Sequence, residues 1–209
     1  MSSKFLSLNH EKQERILNAA LKEFALKGYE NASTNEIVKT AGISKGLLFH
    51  YFNNKKELYL FIYNHFADVV VEEFFNELDL DERDIFERMK TLMILKNKLM
   101  ARHPEVFDFM VAASMETAKE VKEILNNTKT ELIQASYSRL FENIDITMFR
   151  NGVDIKRAIN IIMWTLQGFS NQELEKAKKL NQPHHDFDEA FKEAEVYIEM
   201  MKKAFYKTV

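Results

Sequence analysis

Ser33-Thr34-Asn35-Glu36-Ile37-Val38-Lys39-Thr40-Ala41-Gly42-Ile43-Ser44-Lys45-Gly46-Leu47-Leu48-Phe49-His50-Tyr51-Phe52-Asn53-Asn54-Lys55-Lys56-Glu57-Leu58 is the stretch that decides the fold. Ser33, followed three residues later by Glu36, is a capping box, so a helix starts at Thr34 with Ile37 and Val38 turned inward. Gly42 stops that helix early, and Ser44 at once offers another N-cap, opening a helix through Phe52. Asn54 with Glu57 repeats the box and opens a longer helix through Leu58, Leu60, Phe61, Ile62, His65 and Phe66. Three caps and one glycine turn specify two short helices set at a sharp angle, a helix-turn-helix joined at Ala41, Gly42 and Ile43. Phe49, His50, Tyr51 and Phe52 cannot all face inward at 3.6 residues per turn. Leu48 and Phe52, four apart, suit the core, so His50 or Tyr51 must point out.

Upstream, Ile16, Leu17, Ala20, Leu21 and Phe24 mark an amphipathic helix that Gly28 ends. Downstream, helical patterns cover residues 82–102, 104–115, 118–143, 154–178 and 187–207, with Pro104 placed in a first turn. Only 5 glycines and 2 prolines punctuate 209 residues, too few for the turns of a sandwich or barrel. The expected class is therefore all-α: an N-terminal three-helix domain over residues 1–54 and a larger helical domain over 55–209, linked by the fourth helix. The absence of cysteine excludes a disulfide framework and thiolate-bound zinc. No stretch approaches the ~20 apolar residues of a membrane span, and the first residues do not read as a signal peptide, so a cytoplasmic protein is expected.

Charge is divided unevenly. The first 56 residues hold nine Lys or Arg against five Glu, a net of +4, while the remainder is net −7. A positive head on a negative body points to an anionic partner for the head. Near the C-terminus, Ile155, Ile159, Ile162, Leu166 and Phe169 repeat at 4 and 3, as do Phe187, Phe191, Ala194, Ile198, Met201 and Phe205. Each is a 3.5-residue seam that wants a partner helix, expected in a second copy of the chain; packing inside one protomer is the alternative. Gly168 within the first seam suggests close helix approach.

The quoted stretch, with its Ala-Gly-Ile-Ser-Lys-Gly turn, aromatic run and Lys-Lys-Glu-Leu, closely resembles the DNA-binding domain of TetR-type (TetR/AcrR-like) transcriptional regulators. The resemblance implies that the helix from Ser44 enters the major groove of operator DNA. It carries DNA-contacting roles to Asn35, Ser44, Lys45, Gly46, Leu47, Phe49, His50, Tyr51 and Lys55. Asn35 matches a position that can read adenine, Lys45 one that reaches guanine or phosphate, and Leu47 one that meets a thymine methyl. His50, Tyr51 and Lys55 match phosphate-binding positions. Phe49 departs from the family's usual tyrosine, Val38 from a small alanine, and Leu47 from a small or hydroxylated residue.

The resemblance further implies a homodimeric repressor released by a small, largely apolar ligand held among the body helices. Phe66, Met89, Met93, Phe107, Met110, Tyr137, Phe141, Met163 and Trp164 supply aromatic and thioether lining, and Gln167 an orienting polar group. The dimer contact is expected from Ile155, Ile159, Ile162, Leu166, Phe169, Phe191, Ala194, Ile198, Met201 and Phe205. No nucleophile elbow, phosphate loop or His-Glu-x-x-His is present, so no enzyme, cofactor or metal site is expected. His103 stands alone, and His184 and His185 beside Asp186 read as a solvated loop. The competing class is a helical ligand carrier or interaction protein of the same fold that binds no operator.

Overall fold

The computed structural model describes residues 3–180 and 188–207. Among them run α1 (Ser3–Leu6), α2 (His10–Asn31), α3 (Thr34–Ala41), α4 (Lys45–Tyr51), α5 (Lys55–Glu77), α6 (Ile85–Arg102), α7 (Pro104–Ser114), α8 (Lys119–Leu140), α9 (Ile155–Leu180) and α10 (Asp188–Phe205). The chain is all-α, and only a single antiparallel bridge, Phe149 to Tyr206, departs from helical pairing among the described residues.

The capping chemistry behaves as the residue types dictate. The Ser33 hydroxyl accepts from the Glu36 N–H at 3.4 Å, the Ser44 hydroxyl from Leu47 N–H at 3.2 Å, and the Asn54 side chain from Glu57 N–H at 2.9 Å. The reciprocal half of the first box is not made by Glu36. Instead the Ser33 N–H donates to Glu23 of α2 at 2.8 Å, which ties the start of α3 to the preceding helix. Gly42 sits at φ 66°, ψ 38°, the left-handed cap that a residue with a Cβ resists, and Ile43 N–H closes on the Val38 carbonyl at 3.0 Å. Gly28 does break α2, at φ 67° and ψ −178°, but one further turn follows to Asn31.

The chain divides into two compact units. The first takes residues up to Glu72 together with His103–Ile133; the second takes Glu73–Arg102 and the chain from Gln134 onward. The unit holding the helix-turn-helix thus extends beyond residues 1–54, because its core is completed by side chains from α5, α7 and α8. Tyr59, Ile62 and Tyr63 of α5, Val106 and Phe109 of α7, and Val121 and Leu125 of α8 complete the cluster begun by Ile16, Leu21, Phe24, Ile37 and Leu48. Each fully enclosed aliphatic or aromatic side chain contributes roughly 1.5–3 kcal/mol relative to exposure. The rings meet edge to face: Tyr59 lies 4.8 Å from Phe24, 5.2 Å from Tyr29 and 5.5 Å from Phe109.

The second unit packs Ile85, Phe86 and Met89 of α6 against Ala158 and Ile162 of α9, Ile198 and Met201 of α10, and Phe149 and Tyr206. Arg88 is fully buried there, and its guanidinium donates to the carbonyls of Leu80, Glu82, Leu140 and Glu142. Those acceptors include the C-terminal end of α8, where carbonyls otherwise lack partners. Lys202 of α10 reaches Asp84 at 3.0 Å and Glu87 at 2.6 Å.

Candidate nucleic-acid interface

The helix-turn-helix presents α4 from a fixed base. Leu48 is fully buried, Phe52 is 2% exposed and Tyr51 9%, so the inner face of α4 is locked into the aromatic core. On the other face Ser44, Lys45, Gly46 and His50 are exposed, and Leu47 and Phe49 are half-buried. Of the two rings competing for the outside, His50 takes it. Tyr51 packs edge to face with Phe5 at 6.1 Å, so its ring serves the core and not the groove edge expected of it. A Cβ added at Gly46 would meet nothing within 4 Å, which leaves the leading turn of α4 open to close approach. Asn35 and Lys39 on α3 are likewise exposed.

Lys55 is placed differently from the expectation. Its ammonium donates to the carbonyls of Glu30 at 2.9 Å and Ala32 at 3.3 Å, and lies 4.9 Å from the Tyr29 ring centroid. These carbonyls end α2, and a cation satisfies them and complements the helix's negative end. Lys55 therefore closes the α2–α3 corner. Lys22 and Lys27 are also engaged, with Glu105 at 3.2 Å and Glu23 at 2.9 Å. Burial alone would raise the Glu23 pKa, yet the Ser33 N–H and the Lys27 ammonium hold it below its usual value. Lys39, exposed in the last turn of α3, is a cation on the same surface that the sequence reading did not single out. Nor did it single out the arm before α2, whose Phe5 is fully buried.

The family model for bacterial regulatory proteins of the tetR family matches residues 16–62, which span α2 to the second turn of α5. The helix-turn-helix segment is thus that of the tetR family of bacterial regulatory proteins. It is 27% identical over 124 residues to the HTH-type transcriptional regulator YuxN of Bacillus subtilis (strain 168), covering 59% of this chain but only 43% of that one. It is 25% identical over 162 residues to the HTH-type transcriptional repressor AcnR of Corynebacterium glutamicum, 75% of this chain and 79% of that one. The fold matches the crystal structure of the transcriptional regulator FadR from Bacillus subtilis in complex with stearoyl-CoA, with a TM-score of 0.63 at 16% identity, over 90% of this chain and 96% of that one.

The expected pocket residues divide between the two units. Phe66 and Met110 pack against the first unit's core, and Phe107 lies half-buried on α7. Met89 is buried in the second unit with Met93 and Phe141 against it, and the Tyr137 ring stands 6.1 Å from Phe141. Met163 and Gln167 are half-buried on α9, whereas Trp164 is 66% exposed and so lines no interior of the protomer.

The C-terminal seams are satisfied inside the protomer. Ile162 and Ile198 are fully buried, Ala194 and Met201 nearly so, and Ile155, Leu166 and Phe205 pack against the same cluster. Phe169 meets Tyr197 at 5.5 Å, while Ile159 and Phe191 are half-buried. A seam at 3.5-residue spacing needs a partner helix, and here α9, α10 and α6 partner one another. The helix face left open carries Ile161 and Trp164 on α9, with Val196 and Met200 on α10. Gly168 is also exposed, and a Cβ there would touch nothing within 4 Å, so the close approach expected of it is not made within the protomer. No group of three or more His, Asp or Glu able to hold a metal occurs among the described residues; His184, His185, Asp186 and Phe187 lie outside them. No helix of the described residues is long and apolar enough to cross a membrane.

Proposed function

We propose that this chain is a homodimeric repressor of the TetR family that reads two DNA half-sites with α4 and leaves them when a largely apolar small molecule binds its helical body. One observation carries the reading. The leading turn of α4 offers Lys45, an unobstructed Gly46 and an outward His50, while Leu48, Tyr51 and Phe52 clamp the helix from behind. A side chain reads base edges only if its helix is held in register, and a buried aromatic face supplies that rigidity. Asn35 is assigned a base contact, Lys45 a guanine or phosphate contact, and His50 a phosphate contact. Ser44 and Phe49 flank them, and Leu47 offers an apolar edge to a thymine methyl.

The second copy is assigned to the open face of α9 and α10. Ile161, Trp164, Val196 and Met200 are apolar and exposed, and Gly168 lets another helix approach. An apolar effector accords with the methionine and aromatic content of the body, and repression with the activity named for the AcnR relative. A long-chain acyl-CoA is the first probe to try, because the Bacillus subtilis protein of similar fold was crystallised with one.

Selection of DNA fragments by the purified protein tests the reading. An operator binder enriches inverted repeats, and its affinity for them falls steeply as salt rises. Transcription from a promoter bearing the selected site should then fall when the protein is present. A carrier without operator function would enrich no sequence and bind every duplex alike.

A further inference from the structure

The short arm before α2 packs against the helix-turn-helix. We propose that this arm is a second DNA-contacting element, in which Phe5 is a positioning residue and Lys4 delivers a phosphate contact beside the end of α4. The inference rests on the DNA-binding reading above.

Phe5 is fully buried. Its ring lies 5.0 Å from Phe52 and 6.1 Å from Tyr51, at the C-terminal end of α4, and 5.3 Å from Phe61 in α5. The same arm is held from the other side. The Gln13 amide of α2 donates to the carbonyls of Leu6 at 3.1 Å and Leu8 at 2.8 Å, and the Ser7 hydroxyl donates to the Lys4 carbonyl at 2.9 Å. Two independent anchors, one apolar and one polar, fix the segment.

The placement has an electrostatic consequence. Phe5 is buried while its neighbour Lys4 is exposed, so the anchored arm holds Lys4 at the surface of the element that buries Phe5. Lys22, Lys27 and Lys55 of the same unit are all engaged. A cation held on a rigid arm next to the last turn of a groove-reading helix meets the backbone flanking the site. Phosphate contacts of this kind set register without carrying sequence information.

The test uses the full chain and a duplex selected by the unaltered protein, with affinity measured by fluorescence anisotropy from low to high salt. Lys4→Ala should reduce the slope of log affinity against log salt by about 1 and leave base discrimination and thermal unfolding unchanged. Phe5→Ala, which frees the arm, should reduce the slope by the same amount although Lys4 remains. The double variant should lose no more than either single one, and Phe5→Leu should restore the slope. If Lys45→Ala lowers the slope while Lys4→Ala does not, the arm is only structural and the proposal falls while the DNA-binding reading stands. If neither lysine changes the slope, the reading fails and the arm proposal with it.

Discussion

The Tyr29 amide donates to the Glu116 carboxylate at 2.8 Å, across 87 residues of chain. The other oxygen of Glu116 accepts from the Thr117 and Ala118 amides at 2.8 and 2.9 Å, just ahead of α8, and the Tyr29 hydroxyl donates to Glu120 at 2.6 Å. One carboxylate thus joins the kink of α2 to the turn between α7 and α8. Gly28 makes the joint possible: its positive φ suits glycine, and a Cβ there would stand 3.4 Å from the same Glu116 oxygen.

Removing either member should loosen this joint. Glu116→Ala leaves three amides without their acceptor and is expected to cost about 1–3 kcal/mol in urea unfolding. Gly28→Ala should cost about 1–3 kcal/mol through backbone strain. The double variant should lose about the sum of the two, because strain at φ 67° does not depend on the carboxylate; a clear shortfall would show that the added Cβ also disturbs the Glu116 contact.

Tyr59 presents the opposite case. Its hydroxyl is enclosed by the first unit and has no hydrogen-bond partner, and burial followed by the nearby Glu116 charge pushes its pKa up. An enclosed hydroxyl without a partner is a cost that phenylalanine avoids at nearly the same volume. Tyr59→Phe should therefore raise the free energy of unfolding in urea by up to about 1 kcal/mol, with the ring contacts to Phe24 and Phe109 retained. A clear loss of stability would mean that the hydroxyl has a partner in solution.

The helix-turn-helix was legible because its signals are local. Ser33, Gly42, Ser44 and Asn54 each act within four residues, and each takes the cap or turn that its side chain or missing Cβ dictates. What depends on distant chain was not legible. Lys55 looked like a free cation at a helix start, but the carbonyls that hold it come from residues 30 and 32. Tyr51 could not be told from His50 as the outward ring until Phe5 arrived to cover it. The seams of α9 and α10 announced a partner helix correctly, but spacing alone cannot say whether that helix belongs to the same chain.

The two lysines should separate structure from recognition. Lys55→Ala is expected to lose about 1–2 kcal/mol of stability, because two carbonyls at the end of α2 lose a charged donor, and to leave the salt slope of operator binding unchanged. Lys45→Ala should do the reverse, lowering the slope by about 1 with unfolding unaltered. Asn35→Ala should relax discrimination at one base pair, at roughly 1–3 kcal/mol for a bidentate contact. A fall in slope for Lys55→Ala would return that residue to the phosphates.

Acid should weaken the first unit through His65. Burial lowers its pKa from the ordinary 6.5 against the opposing pull of Asp68, and its ring stacks on Phe61 at 6.1 Å. The folded chain then holds fewer protons at this ring than the unfolded chain. Its contribution is fully present above pH 6.5 and is lost as pH falls below that value toward the folded pKa, at no more than about 1.4 kcal/mol per pH unit. Urea midpoints at pH 7.5 and 5.5 should differ more for the unaltered protein than for His65→Gln; equal differences would show that the ring does not titrate on folding.

The assembly prediction follows from which apolar side chains the protomer leaves uncovered. Ile162 and Ile198 are enclosed by the chain's own core, so Ile162→Asp would bury a charge with no partner and should unfold the second unit, whatever the oligomeric state. Trp164 and Met200 are exposed in the protomer, so aspartate at both is compatible with folding. If α9 and α10 meet a second copy through this face, Trp164→Asp with Met200→Asp should sediment as a folded monomer with unchanged helical circular dichroism. Such a monomer retains one α4 and can engage one half-site at a time. It should lose most of its affinity for a two-half-site duplex, because the second contact is no longer tethered near the first. A folded double variant that still sediments as a dimer would move the interface off this face.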